Sequence, residues 1–379
     1  MKYSLDFRSP DKDFWLRYAK LWQNSMHPSS FQSPGILAYF AGRNPENLAV
    51  FTCEHKGELL GAALFRRNNK VLSFLSDMKT DANFFILHRD CSDDILRKFF
   101  EHFLQSLRKN KLAVMLNHKP AWAKYMPILE EVIHTSSMYR LQLEYSVCPI
   151  AEAETPEVLF KEVSASRNTR YKVNKFQKLP EAGFEVLTDD SDMDQWVEDF
   201  CDAHVLRWAP TPTPSSYRFP DRREFLKSCL RAWHKDGALV RFAIKTGGKR
   251  IGLMAGLREG ETLIYHAPTF HPDHSDCSPG RVLIYYITQW MAGEGLRILD
   301  FGDGNEPYKY YVASKDFVLK RIFISGKYNA PFIFKTQFIR TIRNNQGAYS
   351  IYQNKLKPAL RNLKNRIFSP QRTTTYGIN

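Results

Sequence analysis

The sequence predicts an α+β fold of two similar units, each a mixed, mostly antiparallel sheet flanked by helices. The order helix, loop, three strands, helix, strand, helix, strand occurs once before residue 150 and nearly recurs after it. A 43% hydrophobic and 14% aromatic composition is typical of a folded chain with a sizeable core. A length of 379 residues suits two domains better than one.

Helical apolar spacing and short runs bounded by turn residues predict the elements of each unit. For residues 1–150 they are helix Asp13–Asn24, strands Leu48–Glu54, Leu59–Phe65 and Val71–Leu75, helix Asp94–Leu107, strand Leu112–Leu116, helix Trp122–Ile133 and strand Tyr139–Val147. For residues 151–326 they are a basic helix within Thr155–Pro180, strand Phe184–Leu187, helices Met193–Trp208 and Asp221–His234, strands Ala238–Lys245, Arg250–Leu257 and Thr262–Ala267, helix Val282–Met291, strand Ile298–Phe301, short helix Tyr308–Ala313 and strand Phe317–Ser325.

Residues 327–379 are predicted to form a third region, a basic amphipathic tail. They hold ten Lys or Arg and no Asp or Glu, and so carry most of the net charge of +14. Three apolar clusters alternate with this charge: Pro331–Phe334, Ile339–Ile342 and Leu356–Phe368. Such segments bind an anionic membrane surface or a partner protein, and no nucleic-acid-reading motif accompanies the charge.

The remaining composition predicts a cytoplasmic protein, peripheral on the inner face of the membrane, with no metal. The six cysteines are scattered without a Cys-x-x-Cys pair, which argues against disulfides and structural zinc. His271, His274 and Cys277 lack a fourth ligand of similar type. No apolar run approaches the roughly 18 residues of a membrane span, and the N-terminus does not resemble a signal peptide.

The stretch Glu261–Lys320 is the centre of the second unit. It reads as a strand, the turn Ser278-Pro279-Gly280-Arg281, a helix, and a strand that ends at Asp300-Phe301. A glycine at a helix entrance lets backbone N–H groups point at an anion, which the helix dipole also favours. Ser278, Pro279, Gly280 and Arg281 are therefore candidate pyrophosphate ligands, with simple helix capping as the alternative.

Four stretches carry a resemblance to a known family. They are the basic helix Arg167–Lys178, the His-x-x-Arg-Trp of His204, Arg207 and Trp208, the Ser278-Pro279-Gly280 turn, and Asp300-Phe301 with Tyr308-Lys309. With the order of elements, they resemble GNAT acyltransferases, and more specifically the GNAT-like domain associated with cellulose biosynthesis. That group is related to Fem-type peptidyl transferases, which carry two GNAT units in tandem. The resemblance extends over Leu159–Ile324, and the first half matches only in the order of its elements.

The resemblance implies that the turn binds the pyrophosphate of acyl-CoA. Ordinary GNAT turns carry several glycines and this one carries only Gly280, so an acyl carrier protein remains open as the donor. The Fem-type relatives take an aminoacyl-tRNA instead.

Acyl transfer requires a base for the acceptor, donors for the oxyanion, and an acid for the leaving thiolate. His204 and Asp300 are the candidate bases and Tyr308 is the candidate acid. The candidate substrate contacts are Arg167, Arg170, Trp208, Tyr265 and Lys309. Each also has a structural interpretation: packing for His204, turn capping for Asp300, and solvation for the basic helix.

The expected function is that of an N-acyltransferase, with the second unit carrying the site. It would move an acyl group from acyl-CoA or acyl carrier protein to an amine or hydroxyl of an envelope lipid or glycan precursor. One alternative is a Fem-type transferase that uses aminoacyl-tRNA, the only nucleic acid expected as a partner. The other is a non-catalytic scaffold of an envelope-polymer synthesis complex.

Overall fold

The computed structural model of the protein describes residues 1–77, 80–345 and 347. Within them one continuous sheet of thirteen strands is covered by ten α-helices. The strands are β1 (Lys2–Asp6), β2 (Leu48–His55), β3 (Glu58–Asn68), β4 (Val71–Phe74), β5 (Ile86–Leu87), β6 (Ala113–Pro120), β7 (Tyr139–Glu152), β8 (Gly183–Leu187), β9 (Leu239–Thr246), β10 (Lys249–Glu259), β11 (Thr262–Phe270), β12 (Ile298–Asp300) and β13 (Lys315–Ser325). The helices are α1 (Lys12–Gln23), α2 (Pro34–Arg43), α3 (Asp93–Lys109), α4 (Met126–Thr135), α5 (Pro156–Ala165), α6 (Arg167–Gln177), α7 (Met193–Trp208), α8 (Pro220–Lys235), α9 (Pro279–Gly293) and α10 (Ala330–Asn344).

The sheet is mixed and mostly antiparallel, which confirms the predicted fold class. The strand order is β1-β2-β3-β4-β6-β13-β7-β12-β11-β10-β9-β8, with β5 beside β3. Among the described strands, only the β4–β6 and β11–β12 pairs are parallel. These two pairs occupy equivalent positions in the two units, as the repeated order of elements predicts.

The two units exchange their last strands. β7 ends the first unit but pairs with β12 of the second, and β13 ends the second unit but pairs with β6 of the first. β7 and β13 also pair with each other, from Tyr139 opposite Ser325 to Ile150 opposite Lys315. The predicted boundary between residues 150 and 151 therefore falls inside a strand that both units share.

Two large hydrophobic cores lie against this sheet. One runs through the first unit and continues to α7 and α8 of the second, where Trp196 and Trp233 are buried. The other lies between the second unit's strands and helices α5, α6 and α9. The amphipathic helix α3 shows how the sequence sets this arrangement, since Phe99, Phe103 and Leu107 recur at helical spacing and are all buried.

Most strongly periodic segments form the predicted elements, and the differences have local causes. The basic segment Thr155–Pro180 forms two helices, because Ser166 interrupts it and caps α6 by accepting a hydrogen bond from the Thr169 N–H at 3.4 Å. The segment predicted as the helix Tyr308–Ala313 contains only a 3₁₀ turn, Lys309–Tyr311. β1, β5, α2 and α10 were not predicted. The apolar cluster Leu356–Phe368 of the predicted tail lies outside the described residues.

Buried polar contacts join the units on the side of α2 and α8. The Gly35 N–H donates to Asp236 Oδ2 at 2.8 Å, and the Trp233 indole N–H donates to the Ser30 carbonyl at 2.9 Å. The Ser30 N–H donates to the carboxyl group of Glu259 at the end of β10. Burial raises the pKa of Glu259 to about 7, so this carboxyl group favours its neutral form inside the interface.

Glu259 is expected to make folding stability depend on pH. Its folded pKa lies above its unfolded value, so its contribution to stability is complete below about pH 4.5 and is lost as the pH rises to about 7. Glu259→Gln removes this loss, so the variant should exceed the wild type in stability at pH 8 by roughly 2–3 kcal/mol and match it near pH 4.5. Thermal melting across this pH range measures the difference. Glu261→Gln, an exposed site, is the control, and a Glu259→Gln difference independent of pH would contradict the prediction.

Candidate active site

The sheet of the second unit opens between β11 and β12. β12 pairs with β11 only from Thr262 opposite Ile298 to Ile264 opposite Asp300, whereas β11 continues to Phe270. Beyond Ile264, β11 has no strand on that side among the described residues. We call this opening the β11–β12 cleft. Along it, backbone N–H and C=O groups of β11 lack a strand partner, and an extended ligand can pair with such an edge as an added strand would.

A β-bulge lies where this cleft begins. On the other side of β11, Ala255 of β10 pairs with Ala267, but the next residue, Gly256, pairs with Tyr265. His266 is the extra residue, and a bulge of this type takes a backbone N–H out of the sheet ladder. The local geometry therefore supplies a candidate donor for an oxyanion beside the cleft.

The turn into α9 combines strain with open space. Ser278 has φ 53° and ψ 66°, the left-handed conformation that glycine usually adopts, and Pro279 is buried. A Cβ added to Gly280 would meet no atom within 4 Å, so the turn has free space in front of this residue. The Arg281 N–H is taken by the Ser278 carbonyl at 2.9 Å, while the Gly280 N–H has no partner among the described residues. The turn thus offers one backbone donor at the helix N-terminus.

The basic helix α6 packs against this turn, so two separate sequence predictions meet in space. Lys172 Nζ donates to the Asp276 carbonyl at 2.7 Å, and Lys175 Nζ lies 2.6 Å from Asp276 Oδ2. Arg281 donates to Thr169 Oγ1 at 3.4 Å. Arg167 and Arg170 are exposed on the same helix. The guanidinium and ammonium groups of these side chains place positive charge beside the turn, which has only one glycine and so offers few backbone donors to an anion.

Asp300 stands at the end of β12, beside the mouth of the cleft. Its Oδ1 accepts a hydrogen bond from the Gly302 N–H at 2.8 Å. Burial, with the nearby charge of Asp81, raises the pKa of Asp300 to about 7 although the Gly302 N–H opposes the shift. A carboxylate with this pKa exchanges protons near neutral pH, as a general base must.

Asp81 reaches this place from the first unit. Its Oδ2 lies 3.2 Å from His266 Nδ1, and its Oδ1 accepts a hydrogen bond from the Asp303 N–H at 3.3 Å. Gly302 has φ +66°, and a Cβ there would lie 2.7 Å from Asp81 Oδ2. The close approach of this carboxylate therefore requires glycine at position 302.

Lys309 is buried within the loop that follows β12. Its Nζ donates to the carbonyls of Gly302, Asp303 and Gly304 at 3.2, 2.9 and 3.1 Å, and lies 2.9 Å from Glu306 Oε2. These four acceptors use the donor capacity of the ammonium group. These contacts hold the loop in place, and the substrate contact that the sequence suggests for Lys309 stays a prediction.

His118 adds a second contribution from the first unit. It has φ 48° at an irregularity in the β6–β13 pairing, an uncommon conformation for a residue with a side chain. Its Nε2 lies 3.4 Å from Asp303 Oδ2. Although burial opposes the shift, hydrogen bonds from His118 and Ser146 lower the pKa of Asp303. The strained backbone thus directs an imidazole at the loop beside Asp300.

Arg207, Tyr265 and Tyr308 form the third group near the cleft. Tyr265 is buried on β11 and its ring lies 5.5 Å from that of Phe301. Burial lowers the pKa of Arg207, and the neighbouring phenols of Tyr265 and Tyr308 oppose this shift. Burial raises the pKa of Tyr308 to about 12, so its hydroxyl keeps its proton at neutral pH. Arg207 stacks on Phe270 at 4.2 Å, and no hydrogen bond or ion pair joins its guanidinium to the described part of the chain.

His204 and Trp208 lie in an aromatic cluster on α7. Their rings stack with centroids 5.7 Å apart, and the ring of Tyr217 meets His204 edge-on at 5.1 Å. His204 Nδ1 lies 2.9 Å from Ser215 Oγ. These contacts are those of a histidine that fixes a helix to the following loop, and a catalytic role for His204 stays a prediction.

The equivalent opening of the first unit is filled by its own chain. β4 pairs with β6 only from Val71 to Ser73. Further along β6, the Asn83 N–H donates to the His118 carbonyl at 2.9 Å, and the buried Lys119 donates to the Asn83 carbonyl at 3.2 Å. The segment that carries Asn83 thus fills the opening of the first unit that corresponds to the β11–β12 cleft. The same segment brings Asp81 into contact with the second unit.

Across residues 1–77, 80–345 and 347, no group of three or more His, Cys, Asp or Glu side chains is placed to hold a metal ion. In the same part of the chain, no helix has both the length and the hydropathy of a bilayer span.

The second unit is similar to a known protein domain. The family model of the acetyltransferase (GNAT) domain matches residues 164–310, a range that includes α6, the β11–β12 cleft, the turn into α9, and Asp300. This part of the chain is therefore similar to a GNAT-type acetyltransferase domain. No curated protein sequence matches the chain significantly.

Solved structures show a similar fold over nearly the whole chain. FemX has a TM-score of 0.58 and 11% identity, over 86% of this chain and 97% of its own. The C-terminal DUF2156 domain of a protein assigned as a lysylphosphatidylglycerol synthetase from Agrobacterium fabrum has a TM-score of 0.56 and 10% identity, over 87% and 96%. L-PGS from Bacillus licheniformis has a TM-score of 0.55 and 11% identity, over 90% and 99%. At these identities the comparison establishes a shared fold.

Replacing Lys309 should distinguish a structural from a substrate-binding role. Lys309→Met leaves three loop carbonyls without their donor, so we expect a loss of roughly 3 kcal/mol and a melting temperature lower by several degrees. Lys315→Met removes only an exposed pair with Glu152 and should cost less than about 1 kcal/mol. If Lys309 serves only to bind substrate, both variants will melt alike in the absence of ligands.

Proposed function

We propose that the protein is an acyltransferase whose second unit, residues 151–326, carries the active site. The observation that carries this proposal is the β11–β12 cleft, bordered by a bulge at His266, an open helix N-terminus at Gly280, and a carboxyl group of near-neutral pKa at Asp300. The match of the GNAT domain to residues 164–310 supports the same reaction class.

The donor is proposed to be the thioester of a phosphopantetheine arm, in acyl-CoA or on an acyl carrier protein. The arm would lie in the cleft along β11, with its phosphate groups before Gly280 and Arg281. Arg167 and Arg170 would add guanidinium contacts, since planar guanidinium groups suit phosphate oxygens. The buried Pro279 and the left-handed Ser278 would set the direction of the turn without contacting the donor.

In the proposed reaction Asp300 accepts a proton from the acceptor amine or hydroxyl as its nitrogen or oxygen attacks the thioester carbon. The backbone N–H freed by the bulge stabilises the tetrahedral oxyanion. The C–S bond then breaks, and Tyr308, which keeps its proton at neutral pH, donates it to the leaving thiolate. Asp81 and His118 position the loop at Asp303, and Arg207 offers an unpaired cation to an anionic group of the acceptor.

The acceptor is proposed to be an amine or hydroxyl of an envelope lipid or glycan precursor, with an amide or an ester, respectively, as the product. One structural neighbour is named for lysylphosphatidylglycerol synthesis, which supports a lipid-linked acceptor. We further propose that the protein is cytoplasmic and that residues 327–379, with ten basic and no acidic residues, associate with the anionic inner face of the membrane. The more specific resemblance to the cellulose-biosynthesis group stays part of this proposal.

A second candidate donor is aminoacyl-tRNA, and one observation favours it. Tyr171 on α6 is 62% exposed and stands between Arg170 and Lys172, an arrangement that suits a stacked base and its phosphates. The similarity to FemX is consistent with this alternative at the level of the fold.

The turn assignment is tested by Gly280→Leu. Both Gly280 and Gly293 lie in α9 and face open space, so leucine should leave the fold intact at either site. We expect Gly280→Leu to raise the KM for the donor at least about tenfold by blocking the phosphates, with Gly293→Leu unchanged. The assay follows acceptor-dependent thiol release from acyl-CoA and acyl carrier protein donors, using envelope extract as the acceptor. Activity that requires aminoacyl-tRNA and is lost on RNase treatment would favour the second candidate. Absence of turnover with every donor tested would favour a non-catalytic scaffold.

The assignment of Asp300 as the base is tested by its pH profile. Because its pKa is about 7, kcat/KM should rise with pH and level off above that value, where the carboxylate is ionised. Asp300→Asn should remove this inflection and lower kcat by roughly 100-fold or more. Asp316→Asn, on the exposed part of β13, serves as the control and should keep the wild-type profile. A wild-type rate in Asp300→Asn would transfer the role to another group, with His204 as the next candidate.

A further inference from the structure

α10 has an exposed aromatic face. Phe334 is 77% exposed and Phe338, one turn later on the same side, is 58% exposed. Tyr328, just before the helix, is 98% exposed. Large apolar side chains this exposed and this close together are unusual on a surface that meets only water.

The opposite face of α10 is firmly attached to the sheet. Phe332 and Thr336 are buried, and Thr336 Oγ1 lies 2.8 Å from Tyr139 Oη. Asn329 caps the helix by accepting a hydrogen bond from the Phe332 N–H, and Arg343 donates to the Tyr145 carbonyl at 2.6 Å. The aromatic face is therefore held outward by a helix that cannot roll over to bury it.

Exposed lysines accompany the aromatic face. At 100° per residue, Lys335 lies roughly 60–100° around the helix from Phe334 and Phe338, and Lys327 stands just before the helix. Arg340 lies roughly 120–160° from the two rings and instead lines a cavity with two glutamates of α4 and β7. No acidic residue occurs anywhere in 327–379. An aromatic line beside exposed lysines is the pattern of helices that lie in a membrane interface.

We propose that α10 docks on an anionic lipid bilayer, with Phe334 and Phe338 entering the interface and Lys327 and Lys335 contacting lipid phosphates. The proposal rests on the membrane association proposed above and identifies the surface that makes the contact. Aromatic rings partition well into the headgroup region, and lysine and arginine extend their charges towards phosphate. The positive charge selects an anionic rather than a neutral surface.

The attachment of α10 also places this surface near the acceptor side of the site. The guanidinium of Arg343 lies 4.9 Å from the Tyr145 ring, whose centroid is 5.1 Å from that of His118. His118 in turn contacts Asp303, 3.4 Å away, in the loop beside Asp300. A lipid-linked acceptor held at the bilayer would thus approach the enzyme on the side where Asp300 lies.

The test measures co-sedimentation of the full-length protein with vesicles of phosphatidylcholine, with and without phosphatidylglycerol. We expect salt-sensitive binding that requires phosphatidylglycerol and that falls roughly tenfold or more in the double variant Phe334→Ser, Phe338→Ser. Leu16→Ser is the matched control, because Leu16 is 65% exposed on α1 in the first unit. Melting temperatures should not change in any variant, since none of these side chains is buried.

Unchanged binding in the double variant, equal binding to phosphatidylcholine alone, or no binding of the wild type would each overturn the proposal. A shift of the double variant from dimer to monomer in light scattering, without a change in vesicle binding, would instead assign the face to a second copy of the chain. The binding assay uses neither donor nor acceptor, so its result is independent of the proposed reaction. With a water-soluble acceptor, the double variant should keep the wild-type turnover.

Discussion

The exchange of β7 and β13 between the two units is the constraint on which the rest of the structure depends. Because each strand completes the sheet of the other unit, neither unit forms its full sheet alone. The exchange fixes the first unit's β6 against β13, and so brings His118 within 3.4 Å of Asp303. The candidate site is therefore built from both units. The second unit forms the β11–β12 cleft, and the first unit contributes side chains that contact the loop beside it.

The two units have diverged at the same structural position. Both contain a parallel strand pair that separates after three residues. In the first unit the chain fills the opening itself, and Lys119 is buried there beside Tyr125 and the Asn83 carbonyl. In the second unit the opening remains. Near it lie a buried carboxyl group with a raised pKa, Asp300, and a residue with a strained backbone, Ser278. Raised pKa values and backbone strain are typical of sites shaped by function rather than stability.

The sequence predicts those parts that depend on local periodicity and fails where tertiary contacts decide. α7 has its predicted bounds, Met193–Trp208, because the spacing of apolar residues that predicts a helix lies entirely within this segment. The turn Ser278–Arg281 and Asp300 could also be found, since glycine and strand-end carboxylates are local signals. Asp81 could not, because only the strand exchange brings its loop to the second unit. The contacts of Lys309 could not be predicted either, because its four acceptors come from a loop conformation that no sequence pattern encodes.

The glycine-poor turn has a physical consequence for donor choice. A turn rich in backbone donors fixes a pyrophosphate closely, whereas this one offers the N–H of Gly280 and relies on guanidinium groups. Arg167 and Arg170 are exposed, and long side chains adapt to phosphates in more than one position. In the proposed reaction the donor end would therefore be permissive, whereas the proposed acceptor end lies beside buried contacts among Asp81, His266 and the loop at Gly302. Selectivity in such an enzyme would arise at the acceptor, where a misplaced group would leave buried charges unpaired.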